Sequence, residues 1–229
     1  MKIAIVGKAS TSRGLAPYGD HDWEIWLIHD MYKEKDRWTR FFEIHDLDFV
    51  KQHRPEDYVW LMDHQREVYI RDPHQDFPNA NLFPWRELVE RFGNYFTNTI
   101  SWQIAYAIQL GATTIGIYGV DMSCDAATNG EYQHQRPSCE YFIGLARGMG
   151  IEVIVPKECD LLKTHRLYAV EAPTALESKM DRRVVEITKR VQHYQQEEQE
   201  AHDNAVYMRG VLDNTNYIRS RFYMEGSGR

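Results

Sequence analysis

Residues 1–18 read MKIAIVGKASTSRGLAPY. Residues 2–6 are a short apolar run of β-formers bounded by Gly7, the pattern of a strand buried on both faces. The run breaks into Gly7, Lys8, Ala9, Ser10, Thr11, Ser12, Arg13 and Gly14. Small residues let backbone N–H groups approach an anion, hydroxyls add donors, and Lys8 and Arg13 add positive charge. A phosphate needs this at the carboxyl end of a first parallel strand. The spacing matches neither GxxxxGK[ST] nor GxGxxG, because Ala9 stands where the second glycine of the latter belongs. The stretch therefore predicts a phosphate or nucleotide site without naming the ligand, and the competing reading is a plain strand-to-helix connection.

Working outward, 229 residues accommodate one α/β domain with an appendage. The division falls at residues 1–175 for a nucleotide-binding domain, 176–222 for a helical appendage and 223–229 for a disordered tail. A hydrophobic fraction of 43% with 13% aromatics supplies a packed core. The net charge of −7 argues against nonspecific nucleic-acid binding, which wants a basic face. Cys124, Cys139 and Cys159 are odd in number and lack CxxC spacing, which fits a reducing cytoplasm. No apolar run approaches the ~20 residues of a membrane span, and the chain opens on a strand rather than a leader. The expectation is a soluble cytoplasmic protein.

Residues 23–28 (WEIWLI) form a second strand ending at His29 and Asp30, where ribose or base contacts are commonly made. Residues 40–44 (RFFEI) end at His45 and Asp46, and residues 58–62 (YVWLM), read as another strand, end at Asp63 and His64. An open parallel sheet would gather these pairs along one rim. No HExxH or Cys/His zinc spacing is present, so no metal is expected. Residues 72–85 read as a long loop covering a substrate, and Pro84 suits the start of a helix through Phe92. Residues 97–110 carry helical periodicity with Gly111 as C-cap. Asn98, Thr99 and Ser101 lie at its start, where caps and anion ligands both belong. Residues 113–118 form a strand closing at Gly119, Val120 and Asp121. A polar loop over 122–136 follows, Pro137 opens a helix, and residues 151–155 form a last strand. The alternation is that of a Rossmann-like, doubly wound, mainly parallel α/β sheet.

In the tail, Met180, Val184, Ile187, Val191 and Tyr194 step by four and three, a heptad seam. Ala201, Ala205, Met208 and Leu212 align in a second stretch. The pattern predicts a helical hairpin or one long helix used for homo-oligomerisation, the alternative being a helix packed on its own domain.

The stretches Asn98-Thr99-Ile100-Ser101, Leu110-Gly111, Gly119-Val120-Asp121 and Asp160-Leu161-Leu162 together resemble the bacterial sialyltransferases that use CMP-sialic acid. The related hydroxymethylpterin pyrophosphokinase-like proteins are similar too, and residues 119–156 look like uncharacterised proteins of tailed-phage genomes. The resemblance implies a nucleotide or nucleotide-sugar ligand met by His29, Thr99 and Asp121, and the readings of the first loop, the end of the second strand and the helix start given above add Gly7, Lys8, Ala9, Ser10, Thr11, Ser12, Asp30 and Ser101 to its candidate contacts. It places a catalytic histidine at His134, with Tyr132 donating to the leaving phosphate and Arg136 assisting. The first loop departs from the family's Gly-Asn-Gly-Pro-Ser: here Lys8 follows Gly7, favouring a more highly charged phosphate. The leading expectation is a metal-independent transferase using a nucleotide-activated sugar donor, with His134 as general base. The alternatives are a non-catalytic module that sequesters a nucleotide, and an Mg²⁺-dependent pyrophosphokinase or nucleotide hydrolase.

Overall fold

A computed structural model describes residues 1–34, 37–122, 130–164 and 166–225, the side chains of Asp30 and of 222–225 excepted. Cys124 lies outside the described residues. The chain divides into two units, Met1–Lys163 and Thr164–Arg229.

Among the described residues of the first unit, seven strands form one sheet. They are β1 (Lys2–Val6), β2 (Trp23–Ile28), β3 (Arg40–Glu43), β4 (Val68–Ile70), β5 (Asn81–Leu82), β6 (Thr114–Tyr118) and β7 (Glu152–Ile154). Their order is β5-β4-β3-β2-β1-β6-β7, and every pairing is parallel. Five helices cover it: α1 (Leu47–His53), α2 (Pro55–Asp63), α3 (Trp85–Phe92), α4 (Thr99–Gln109) and α5 (Glu131–Gly148). Successive side chains of a strand point to opposite faces, and β1 shows it. Ile3 and Ile5 pack in a core with Leu88, Ile104 and Phe142 of α3, α4 and α5. Ala4 and Val6 pack in the opposite core with Leu47, Val50, Tyr58 and Leu61 of α1 and α2. Each large apolar side chain so buried contributes roughly 1.5–3 kcal/mol, so β1 ties both layers together. The expected doubly wound sheet is therefore the fold.

Three local expectations need correction. Residues 58–62 are helical, not a strand: Pro55 opens α2, and Glu56 and Asp57 stand in its first turn. Tyr58 and Leu61, three apart, are buried while Val59 is exposed, which is helical spacing. The strand lies just beyond, at the three-residue β4, too short to show a period. Second, the loop over 72–85 contributes β5 at its end. Third, α5 begins at Glu131 rather than at Pro137, which sits inside it. Proline there lacks the N–H that would bond the carbonyl of Gln133, so it looks like a start in sequence. The helix expected over 97–110 is present as α4. Asn98 caps it by accepting from the Ser101 N–H, and Gly111 adopts φ +75° beyond its end.

In the second unit, α6 (Ala175–Glu225) is one helix of 51 residues, not a hairpin. It takes in residues 223–225, read above as tail; residues 226–229 lie outside the described residues. The two apolar stretches share one register, since Tyr194, Glu198 and Ala201 continue the same four-and-three steps. With neither glycine nor proline between residues 195 and 205, nothing breaks the backbone there. Met180, Val184, Ile187, Val191 and Tyr194 are all exposed. Among the described residues, no helix is long and apolar enough to cross a membrane.

Candidate functional site

Strands β2 to β5 run outward on one side of β1, and the chain then returns to lay β6 against its other side. Where strand order reverses in this way, the loops at the carboxyl ends part and leave a crevice. Here it measures about 490 Å³. Gly7, Lys8 and Ala9 line it after β1, and Gly119, Val120, Asp121 and Met122 after β6. Thr97, Asn98, Thr99 and Ile100 bring the start of α4 to it, and Glu131, Tyr132 and Gln135 the start of α5. Ile28, His29 and His45, from the ends of β2 and β3, complete the wall.

The two loops are knitted to each other. The Gly7 N–H donates to the Tyr118 carbonyl at 2.8 Å and the Ala9 N–H to the Gly119 carbonyl at 2.9 Å. A Cβ on Gly7 would lie 2.5 Å from the Gly119 carbonyl oxygen. One on Gly119, whose φ is +63°, would lie 2.4 Å from that of Gly7. Both glycines are therefore required by backbone packing against backbone. Ser12, fully buried, accepts the Gly119 N–H at 2.8 Å. The Thr11 hydroxyl lies 2.8 and 2.7 Å from the two Asp121 carboxylate oxygens. Arg13 donates to the Lys8 carbonyl and pairs with Glu34 at 2.6 Å. Much of the polar run that reads as an anion cradle thus holds the loops in place. Lys8 and Ala9 face the crevice, while Ser10 is exposed and outside its lining.

The rim beyond β2 and β3 is different. His29 adopts φ +50°, uncommon for a residue with a Cβ, and its ring centroid is 5.2 Å from that of His45. Glu43, 1% exposed at the end of β3, contacts His45 Nδ1 at 2.5 Å and Arg54 at 3.0 Å. Burial pushes the Glu43 carboxyl up, but the His45 hydrogen bond and the charges of His45, Arg54 and His29 outweigh it, leaving it below the usual range. Arg54 also donates to His29 Nδ1 at 3.2 Å. Burial depresses the His29 imidazole, and His45, Arg54 and Lys8 add to this against the opposing pull of Glu43. A neutral His29 that accepts at Nδ1 carries its proton on Nε2. His29, Glu43 and His45 each offer a ligand atom, all within 4.8 Å of one another, the separation a metal ion could bridge. The Arg54 guanidinium, bonded to two of the three, already supplies positive charge there.

Of the other residues singled out in the sequence, Thr99, Asp121 and Tyr132 reach the crevice. Ser101 is buried in the α4 cap, its hydroxyl donating to the Asn98 carbonyl at 2.7 Å. His134 is exposed on α5 and outside the lining. Arg136 pairs with Glu140 at 2.8 Å and donates to the carbonyls of Asp160 and Lys163, fastening that segment to α5. The Asp30 side chain lies outside the described residues. Glu43 and Arg54 were missed. The sequence does carry a signal for the first: an acid closing an apolar strand, two residues before a histidine.

Ile44, beside His45, lines a second cavity of about 430 Å³ with Arg71, Phe83, Trp85 and Trp102. The buried indole N–H of Trp85 has no hydrogen-bond partner among the described residues.

No protein-family model and no curated protein sequence matches this chain. Among solved structures it is similar to the sialyltransferase CstII from Campylobacter jejuni in complex with the substrate analogue CMP-3FNeuAc, at 13% identity and a TM-score of 0.46. That match covers 78% of this chain and 98% of the other. The same enzyme in complex with cytidine-5'-monophosphate matches at 13% identity, a TM-score of 0.45, and 78% and 97% coverage.

Proposed function

We propose that this chain is a transferase that holds a nucleotide-activated donor, a nucleotide sugar by class, across the crevice between β1 and β6, without a metal. The observation that carries the reading is the crevice itself, at the reversal of strand order. Lys8, the opening turn of α4 and two imidazoles meet there. Lys8 supplies charge for the donor's phosphates, and the first turn of α4 offers backbone N–H groups beside the Thr99 hydroxyl. The role that falls to the Tyr132 phenol, in the crevice lining, is to donate to a leaving phosphate, where charge accumulates as the bond to the transferred group breaks. The aromatic cavity beyond Ile44 is the natural seat for the acceptor, since an apolar wall with a few polar groups orients a small molecule. The exposed seam of α6 is the homo-oligomer contact, and Ile187→Asp is expected to lower the mass seen by sedimentation. The reading places the chain in the cytoplasm, a host's if it is phage-encoded.

The test is a thermal-shift panel of nucleotides and nucleotide sugars, with EDTA or Mg²⁺, followed by product analysis. A ligand at a hundred times its Kd adds about 2.7 kcal/mol to stability. Product from a nucleotide sugar in EDTA supports the transferase. Donor recovered unchanged makes the chain a sequestering module, and turnover that needs Mg²⁺ makes it a pyrophosphokinase or hydrolase. If His134 takes the proton, His134→Ala abolishes turnover and leaves donor affinity within a few-fold.

A further inference from the structure

The geometry points to His45, held by the buried carboxylate of Glu43, as the group that takes the acceptor's proton, a deepening that rests on the transferase reading above. Two imidazoles stand at the same rim with opposite polarity. Arg54 can only donate, so His29 accepts at Nδ1 and presents an N–H at Nε2. Glu43, ion-paired with the Arg54 guanidinium at 3.0 Å, is a carboxylate that can only accept, so His45 donates from Nδ1 and keeps the lone pair on Nε2. One ring is thereby fixed as a donor and the other as a proton acceptor. The carboxylate that fixes the second is almost wholly buried, while the ring it holds is 43% exposed. A buried carboxylate is costly unless it is paired, and its pairing here orients a histidine that lines a cavity wall. His45 lines both the crevice and a smaller recess beside it, and the next residue back, Ile44, lines the aromatic cavity. A base that serves an acceptor attacking a bound donor belongs between the two. His134, exposed on α5, does not occupy that position.

The step balances without a co-reactant. The Nε2 lone pair of His45 takes the hydroxyl proton of the acceptor. The freed oxygen pair forms the bond to the carbon of the transferred group, and that carbon's bond to the nucleotide phosphate breaks, its pair leaving on the phosphate oxygen. The imidazolium so formed faces the Glu43 carboxylate, which offsets its charge. Glu43 is a positioning residue: it acts through His45.

Two measurements decide the matter. Long-range ¹H–¹⁵N spectra of histidine-labelled protein report which ring nitrogen of His45 carries the proton. The assignment requires Nδ1–H in the wild type and its loss in Glu43→Leu; a proton on Nε2 overturns it. This readout needs no substrate, so it separates failure of the dyad from failure of the transferase reading. With a donor identified as above, His45→Gln, which keeps bulk but is not basic, is expected to lower kcat by about a thousandfold with donor Kd within threefold. Glu43→Gln should lower kcat by about a hundredfold with KM within threefold, a split that general loosening of the fold would not give. Turnover by His45→Gln within threefold of wild type overturns the assignment. His45→Asn, checked for its melting temperature, serves if the glutamine variant does not fold.

Discussion

The loop after β1 and the rim after β2 and β3 border the same crevice, and they treat polar groups in opposite ways. In the loop, Gly7, Ala9, Thr11 and Ser12 direct donors or acceptors at the β6 loop. At the rim, Glu43 and Arg54 engage two imidazoles and leave each ring one nitrogen of known polarity. A run rich in donors is therefore not a ligand site until its donors are shown to be unengaged. A buried charge that orients an exposed ring is the stronger pointer, because little else repays its desolvation.

The sharpest way to break this contrast is at the glycines. If the loop is architecture, adding one methyl where the two loops touch should unfold more than it inhibits. Gly119→Ala places a Cβ 2.4 Å from the Gly7 carbonyl oxygen at a φ of +63°. Backbone must move and the left-handed conformation penalises alanine, so a loss of about 3 kcal/mol is expected in urea unfolding. Gly7→Ala, 2.5 Å from the Gly119 carbonyl oxygen, should lose about as much. A loss under about 1 kcal/mol for both would mean that the loops can part.

At the rim the corresponding test is coupling. Glu43 and Arg54 are 3.0 Å apart, with Glu43 buried and the Arg54 side chain 26% exposed. Removing either leaves the other with a poorer partner, Glu43 with His45 alone and Arg54 with Asp57 at 3.9 Å, so Glu43→Leu and Arg54→Leu singly should each cost about 2 kcal/mol. The double variant should cost clearly less than the sum, because two leucines leave no buried charge behind. Additive losses would show that the pair is not a unit and would weaken the case for an engineered rim.

The rim also predicts how stability responds to acid. His29 is held below its ordinary pKa of 6.5 in the fold. Below that pH the unfolded chain binds a proton that the folded chain resists, so stability falls as pH drops through this window. Glu43, also depressed, stabilises the fold above its ordinary 4.5 and loses that contribution only at lower pH. Melting curves of His29→Asn should fall less steeply between pH 7 and 5.5 than those of the wild type. Asparagine does not titrate and tolerates positive φ, so an unchanged slope would remove His29 as the source.

How legible all this was in the sequence depends on the length of the signal. β1, β2, α4 and β6 were readable because each carries a full run of its own periodicity, buried on one or both sides. β4 was not, being three residues close after the longer apolar run 58–62 inside α2. Pro137 misled about α5 because a proline inside a helix and one at its start look alike without the tertiary contacts. The histidines at the ends of β2 and β3 were expected along one rim, and those two do meet. The third pair, Asp63 and His64, ends a helix and stands outside the crevice lining. What no local pattern could supply was Arg54. It reaches Glu43 and His29 only because the chain turns between α1 and α2, and the polarity of both rings depends on it.

The smallest effect is the most discriminating for the loop. The Thr11 hydroxyl and the Asp121 carboxylate are exposed, so water replaces their bond and Thr11→Val should cost about 0.5 kcal/mol. Ser12→Ala, by contrast, strands the Gly119 N–H in a buried setting and should cost about 1–2 kcal/mol. If the loop is architecture alone, donor affinity in Thr11→Val should follow its small loss of stability. A tenfold loss of affinity with stability changed by less than about 0.5 kcal/mol would have a different meaning. The hydroxyl would then be leaving Asp121 for the ligand, and the loop would be both a clasp in the free protein and a cradle in the bound one. That result would narrow the contrast between loop and rim to a single residue, with Ser12 staying on the architectural side because its bond is sealed from water.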